Sequence, residues 1–300
     1  MNTAAPALSV IVASAAPLRD LPDSVRTLIQ SRDSREIEII LAYAANFEFP
    51  DVASAADSGV TCVRIDDGAT LPQVLGAAIA RSRGGILAIT DTTCTVDRNW
   101  ISATLAAHAA SHPVIGGAVE PEGLRTVVDW AGYFCDYGAF MFPLAPTVIR
   151  HVPGINISMK RWALGMGREF VEGEFWKAYW CQQLKTRGYD LRIEPSMLVF
   201  YRRRFSFWPF LRARFDHGRC FAGMRSERFT LWQRVLYLLG SPLLPILFAV
   251  RFLKALVPKR RHVRYLILSF PIVLLAMISW GLGEFCGYLL RPGTSCSRVR

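Results

Sequence analysis

The chain has 300 residues, 52% of them hydrophobic, which is enough for one substantial core and something more. Its net charge of +11 is unevenly placed: residues 1–199 hold 17 Lys and Arg against 21 Asp and Glu, while residues 200–300 hold 18 against 3. The basic third also carries the longest apolar runs, which points to a membrane surface, and no RNA- or DNA-binding motif accompanies the charge, so no nucleic-acid partner is expected. The seven cysteines are odd in number, with no CxxC pair and no His/Cys spacing suited to zinc; reduced thiols in a cytoplasmic compartment follow. The N-terminal apolar run has no basic residue before it, and Arg19 and Asp20 come soon after. It reads as a first strand and not as a signal peptide.

Taken in order, residues 8–13 form a short β-rich run. Leu21, Val25, Leu28 and Ile29 then recur at helical spacing, with Asp20 as the cap. Residues 37–43 and 60–65 read as buried strands, the latter introduced by Asp57-Ser58-Gly59. An alanine-rich helix over 72–83 turns Leu75 and Ile79 inward, and a fourth strand, 86–90, stops at one carboxylate, Asp91. The strand–helix alternation predicts an α/β domain with a Rossmann-like, mostly parallel sheet and helices on both faces. An acid at the carboxyl end of such a strand sits where these sheets bind ligands, although it can equally just start a turn. Asp97 caps a helix through Trp100 and Leu105, and residues 113–119 give another strand. Residues 124–150, rich in aromatics, Gly and Pro, form a helix and then a loop that walls a pocket, or a satellite core.

At Gly154-Ile155-Asn156, followed by Lys160-Arg161, about 60 residues after Asp91, the chain resembles family 2 glycosyltransferases, which have the GT-A fold. Glu172-Gly173-Glu174-Phe175-Trp176, then Leu184 and Arg187-Gly188-Tyr189, resembles the acceptor-side helix of that family and the turn after it. Phe210-Leu211-Arg212, with Arg214-Phe215 and Gly218-Arg219 behind it, resembles the amphipathic helix that membrane-bound bacterial members carry next. The resemblance covers roughly residues 8–225 and departs in three places. The base-binding acid after the second strand is replaced by Tyr43-Ala44-Ala45-Asn46, the usual Ala-Arg-Asn falls at Val74-Leu75-Gly76, and Asp-x-Asp becomes Asp91-Thr92-Thr93.

The resemblance implies an inverting transfer of sugar from a nucleotide-sugar donor to a lipid-linked or glycan acceptor. It places Ala13, Ser14, Asp91 and Thr93 on the donor, with Asp91 as the residue for Mg2+ or Mn2+, and Asn156 on the acceptor side. Mg2+ keeps waters and phosphates in its shell, so one carboxylate can suffice. The family's Glu-Asp base pair should fall at Trp176-Lys177, neither of which is a carboxylate. On a helix Glu174 would share the face of Lys177, so Glu174, with Glu172 as the alternative, is the expected base. Both can instead be acids favoured at a helix start. A glycosyltransferase-like binding or scaffold protein without catalysis, in an envelope-glycan pathway, is the competing reading.

The expected organisation is a GT-A domain over 1–203, an amphipathic interfacial helix region over 204–234, and membrane segments with a tail over 235–300. Trp208, Leu211, Phe215 and Phe221 fall near one side of the helix, with arginines around the rest. The apolar stretch 236–250 is short and holds Pro242 and Pro245, so it is expected to dip into the membrane, and 265–283 is expected to span. A cytoplasmic donor places the protein in the inner membrane with its catalytic domain facing the cytoplasm.

Overall fold

Four parallel strands form where the apolar runs predict them: β1 (Leu8–Ser14), β2 (Ile37–Ala44), β3 (Val60–Ile65) and β4 (Ile86–Asp91). The computed structural model describes residues 5–32, 37–46 and 51–299. β1 and β2 are buried almost throughout, as continuous apolar runs covered on both sides require. Between the strands lie α1 (Asp23–Gln30), α2 (Val52–Asp57) and α3 (Leu71–Arg81). α3 starts on a reciprocal capping box between Thr70 and Gln73, and buries Val74, Ala78 and Ile79 in preference to Leu75.

Five more strands complete the sheet: β5 (Cys94–Val96), β6 (Val114–Pro121), β7 (Thr147–Ile149), β8 (Ile157–Lys160) and β9 (Leu191–Tyr201). The order is β3-β2-β1-β4-β8-β6-β9-β5, with β7 on β9. β8 runs antiparallel between β4 and β6, and β5 and β7 run antiparallel to β9. The sheet is therefore mixed, because β8 is reached by a loop and enters from the opposite edge, without the crossover helix a parallel strand needs. α4 (Trp100–Ala107) starts one turn after Asp97, whose carboxylate instead accepts the Asn99 N–H at 2.9 Å.

The chain divides into two compact units, 1–122 with 140–202, and 123–139 with 203–299. Helix α5 (Val127–Asp136), expected inside the first domain, thus counts with the C-terminal unit. Its Trp130 stacks on Tyr265 with ring centroids 4.3 Å apart, and Asp136 holds Arg214 in a two-pronged ion pair at 2.6 and 2.7 Å. Asp129 accepts from the backbone N–H of Phe205, Thr126 and Arg125 and from the Arg204 guanidinium. Burial alone would raise its pKa, but those bonds hold the carboxyl below its ordinary value.

In the C-terminal unit α8 (Phe207–Ser226) lies along α11 (Val263–Leu290). The face it buries is the small one: Gly218 meets the backbone of Trp280, Gly283 that of Phe215, and Gly287 that of Arg219. Of the aromatic side expected to bury in lipid, Phe221 stacks on Trp280 of α11, while Trp208 stays 74% exposed. α9 (Leu231–Gly240) runs through a 3-10 turn into α10 (Leu244–Leu256), with Pro242 and Pro245 at starting positions where a missing N–H costs nothing. The result is one helical stretch, Leu231–Lys259, of 29 residues, and like Val263–Leu290 it is long and apolar enough to cross a membrane. Residues 236–250, expected to be too short to span, are thus the middle of a longer helical stretch. Cys220 and Cys296 form a disulfide 76 residues apart, against the expectation of reduced thiols, while the other five cysteines are not disulfide-bonded.

Candidate functional site

β2 and β3 extend the sheet to one side of β1, and α3 returns the chain to its other side as β4. The winding direction therefore reverses between β1 and β4, and open α/β sheets bind ligands in the crevice beyond the carboxyl ends of two such strands. Ala13 lies level with Asp91 across that junction. Ala13 is buried, so only its backbone can face the crevice; Ser14 is partly exposed and its hydroxyl closes a local turn with Ala16. Two further polar ends share this edge: Asn46, after β2, donates to Asp67, after β3, at 3.3 Å.

Asp91 is partly exposed, and one of its oxygens accepts the Thr93 N–H at 2.6 Å. Asp91 thus starts its own turn, and the turn fixes the carboxylate at the strand end. The Thr93 hydroxyl is buried beside it with no hydrogen-bond partner. Among the described residues no group of three His, Cys, Asp or Glu can hold a metal ion. One carboxylate and one hydroxyl do not make a resident metal centre. They fit a cation whose remaining ligands come with phosphate oxygens.

Glu172 and Glu174 precede the helix: α7 begins at Lys177, and both acids lie on a bend. The shared helical face expected of Glu174 and Lys177 is therefore absent. The bend is docked on the first turns of α3. Phe175 N–H donates to the Pro72 carbonyl at 2.8 Å, and a Cβ on Gly76 would lie 2.6 Å from the Gly173 carbonyl oxygen. Glycine at position 76, read from sequence as a departure, is what lets this bend approach. Gln73 serves twice: its amide oxygen caps α3 and its amide nitrogen donates to Glu174 at 3.0 Å. The second Glu174 oxygen accepts from the Trp176 indole at 2.7 Å. Glu174 is thus held by two neutral donors near the carboxyl edge, since α3 starts there, while Glu172 is exposed. Gln73 was missed from sequence; its capping-box position gave no sign of a partner 101 residues away.

Asn156 is not at this site. It is fully buried; its amide nitrogen donates to the Ala118 and Met197 carbonyls at 2.8 and 2.7 Å, and its oxygen accepts from the Trp100 indole at 2.9 Å. Gly117 makes room for it, since any Cβ there would collide with the Met197 carbonyl and the Asn156 amide. The acceptor-side role expected of Asn156 gives way to a core role, because both its N–H donors and its oxygen are engaged in holding β6, β9 and α4 together.

No family model matches the chain, and no curated protein matches it. Among solved structures it is similar to a mannosyltransferase, PcManGT from Pyrobaculum calidifontis, in complex with GDP-Man and Mn2+. That match has 15% identity and a TM-score of 0.56, over 96% of this chain and 88% of that one. It is also similar to GalNAc-T7 with UDP, GalNAc and Mn2+, at 14% identity and a TM-score of 0.50, over 69% of this chain and 46% of that one. The mixed sheet with its helices, followed by apolar helices long enough to span a membrane, therefore has the GT-A type of fold.

Proposed function

We propose that the chain is a membrane-associated inverting glycosyltransferase of the family 2 kind. It would move a sugar from a nucleotide-sugar to a lipid-linked or polysaccharide acceptor in envelope-glycan synthesis. The observation that carries this reading is the level pairing of Ala13 with Asp91 at the switch point of a GT-A sheet. In such a transfer the acceptor oxygen bonds to the anomeric carbon as the bond from that carbon to the diphosphate breaks on the opposite face. Glu174 takes the acceptor's hydroxyl proton, its carboxylate oriented by Gln73 and Trp176. A divalent cation arriving with the diphosphate supplies charge neutralisation, and Asp91, beside the Thr93 hydroxyl, is the residue that would hold it.

Two full spans would make Leu231–Lys259 and Val263–Leu290 a hairpin whose basic turn lies across the membrane from residues 202–230. Residues 202–234 hold nine Lys and Arg against six over 251–264, which favours the catalytic side as the inside, in the inner membrane. The Cys220–Cys296 bridge pulls the other way, since disulfides belong to oxidising compartments.

A second reading, a scaffold without catalysis, is favoured by one observation: the first residue of α7, where the resemblance puts a carboxylate, is Lys177. Thermal shift with UDP-, GDP- and dTDP-sugars, with and without Mn2+, separates the two, because a ligand that binds only the folded state raises its stability. A donor should raise Tm in the wild type, and Asp91→Asn should abolish the metal-dependent part. Glu174→Gln should keep the shift and lower transfer by about 10²–10⁴-fold. No shift with any nucleotide would leave the scaffold, and a loss under about tenfold would remove Glu174 as the base.

A further inference from the structure

A cavity of about 500 Å³ lies between one face of α7 and the segment after β7. Lys177 and Lys185 stand two turns apart on that face, and Arg150 lines the opposite wall. Each lysine is steered by a backbone carbonyl: Lys177 Nζ donates to Val152 O at 2.7 Å and Lys185 Nζ to Arg150 O at 3.1 Å. That leaves two of the three donors on each ammonium for something else. No acidic residue lines the cavity, and no carboxylate pairs with Arg150, Lys177 or Lys185 among the described residues. The N-terminus of the ten-residue α7, with no side-chain cap, opens at the Lys177 end and adds its partial positive charge.

We infer that this cavity binds a phosphate-bearing group through Arg150, Lys177 and Lys185. Three cations facing one space without a counter-charge repel one another, and an anion relieves that cost with charge-assisted hydrogen bonds. Burial holds the Lys177 ammonium below its ordinary pKa, so it gains further from an anionic partner. The cavity is too large for bare phosphate and falls in the range that takes a small organic ligand. Covalent chemistry at Cys181, which also lines it, is disfavoured: burial pushes that thiol up to about 11, away from the reactive thiolate. Two sources share the required chemistry, the donor's diphosphate and a phosphate carried by the acceptor. The site itself is independent of the transfer reading; the choice of source rests on it. The cavity lies beside the Glu174 bend and not at Asp91, which favours the acceptor.

Titration calorimetry of inorganic pyrophosphate into the full-length protein, in detergent and without metal, tests the site. The wild type should bind. Lys185→Gln and Arg150→Gln, both at exposed positions, should each weaken binding by about tenfold, the loss of one charge-assisted contact, and Lys177→Gln by at least as much. Asp91→Asn should bind pyrophosphate as the wild type does, whatever it does to nucleotide-sugars. Absence of binding in the wild type, equal affinity in the Lys185 and Arg150 variants, or loss in Asp91→Asn alone would each overturn the site. Displacement of pyrophosphate by farnesyl phosphate assigns the phosphate to the acceptor; displacement by UDP or GDP assigns it to the donor. Displacement by neither would overturn it as a substrate subsite. The nucleotide-sugar shift is read separately, so either proposal can fail alone.

Discussion

The two units distribute apolar and polar groups in opposite ways. In the first, β1, β2 and β4 are filled with Val, Ile and Leu at 5% exposure or less apart from the partly exposed Ile86, and the only exposed large hydrophobics among its described residues are Val148 and Trp162. In the second, Leu231, Trp232, Leu236, Leu239, Leu243 and Ile246 all lie on the outside of one helical stretch. Its polar groups are paired within: Glu284 accepts from the Trp280 indole and the Tyr288 hydroxyl, beside Arg225. Buried charge must be paired in either solvent, but apolar side chains outside are tolerated in a continuous row only where the solvent is lipid or another chain covers them. Apolar content alone did not separate these units; where it is placed does.

The contrast can be broken most forcefully in the core of the first unit. Asn156→Ala leaves the Trp100 indole N–H and the Ala118 and Met197 carbonyls without their partner, and should cost about 4 kcal/mol in denaturant unfolding. Donor-induced stabilisation should persist in the surviving folded fraction. A variant that kept its stability and lost only acceptor affinity would return Asn156 to the site.

A matched pair of charges then asks which solvent each unit meets. Ile246→Arg, on the exposed face of α10, should cost about 3 kcal/mol of membrane insertion and release protein on carbonate extraction. Val148→Arg, at an exposed position of β7, should change stability by no more than about 0.5 kcal/mol. Equal, small effects would mean that both surfaces meet water.

The smallest effect is a pH dependence in the first unit. His108, buried against the Ser158 hydroxyl at 2.8 Å, is lowered from 6.5 to about 4, mainly by burial and secondarily by Lys160. Between those values the unfolded chain binds the extra proton, so the stability His108 contributes is complete above pH 6.5 and lost as pH falls towards 4. At pH 5 the loss should be about 2 kcal/mol, and His108→Asn should flatten it. A wild-type curve flat from pH 7 to 5 would remove His108 from the account.

Sequence alone determined whatever depends on near neighbours. Apolar runs placed β1 to β4 within a residue or two, the acid at Asp91 marked where β4 ends, and the charge imbalance separated the basic C-terminal third. These signals are local, set by side-chain period and by where an apolar run stops. Tertiary structure decided the rest. Gly76 looked like a lost motif until the Glu174 bend was seen lying on it, and Asn156 looked like a ligand until Gly117 admitted it to the core. Helix α5 joined the second unit through Trp130 and Asp136, and Cys220 found Cys296 across 76 residues. In each case the deciding contact joins groups far apart in the chain. A residue's type limits the bonds it can make, but whether Glu174 meets Gln73 and Asn156 a carbonyl is fixed only when the remote backbone arrives.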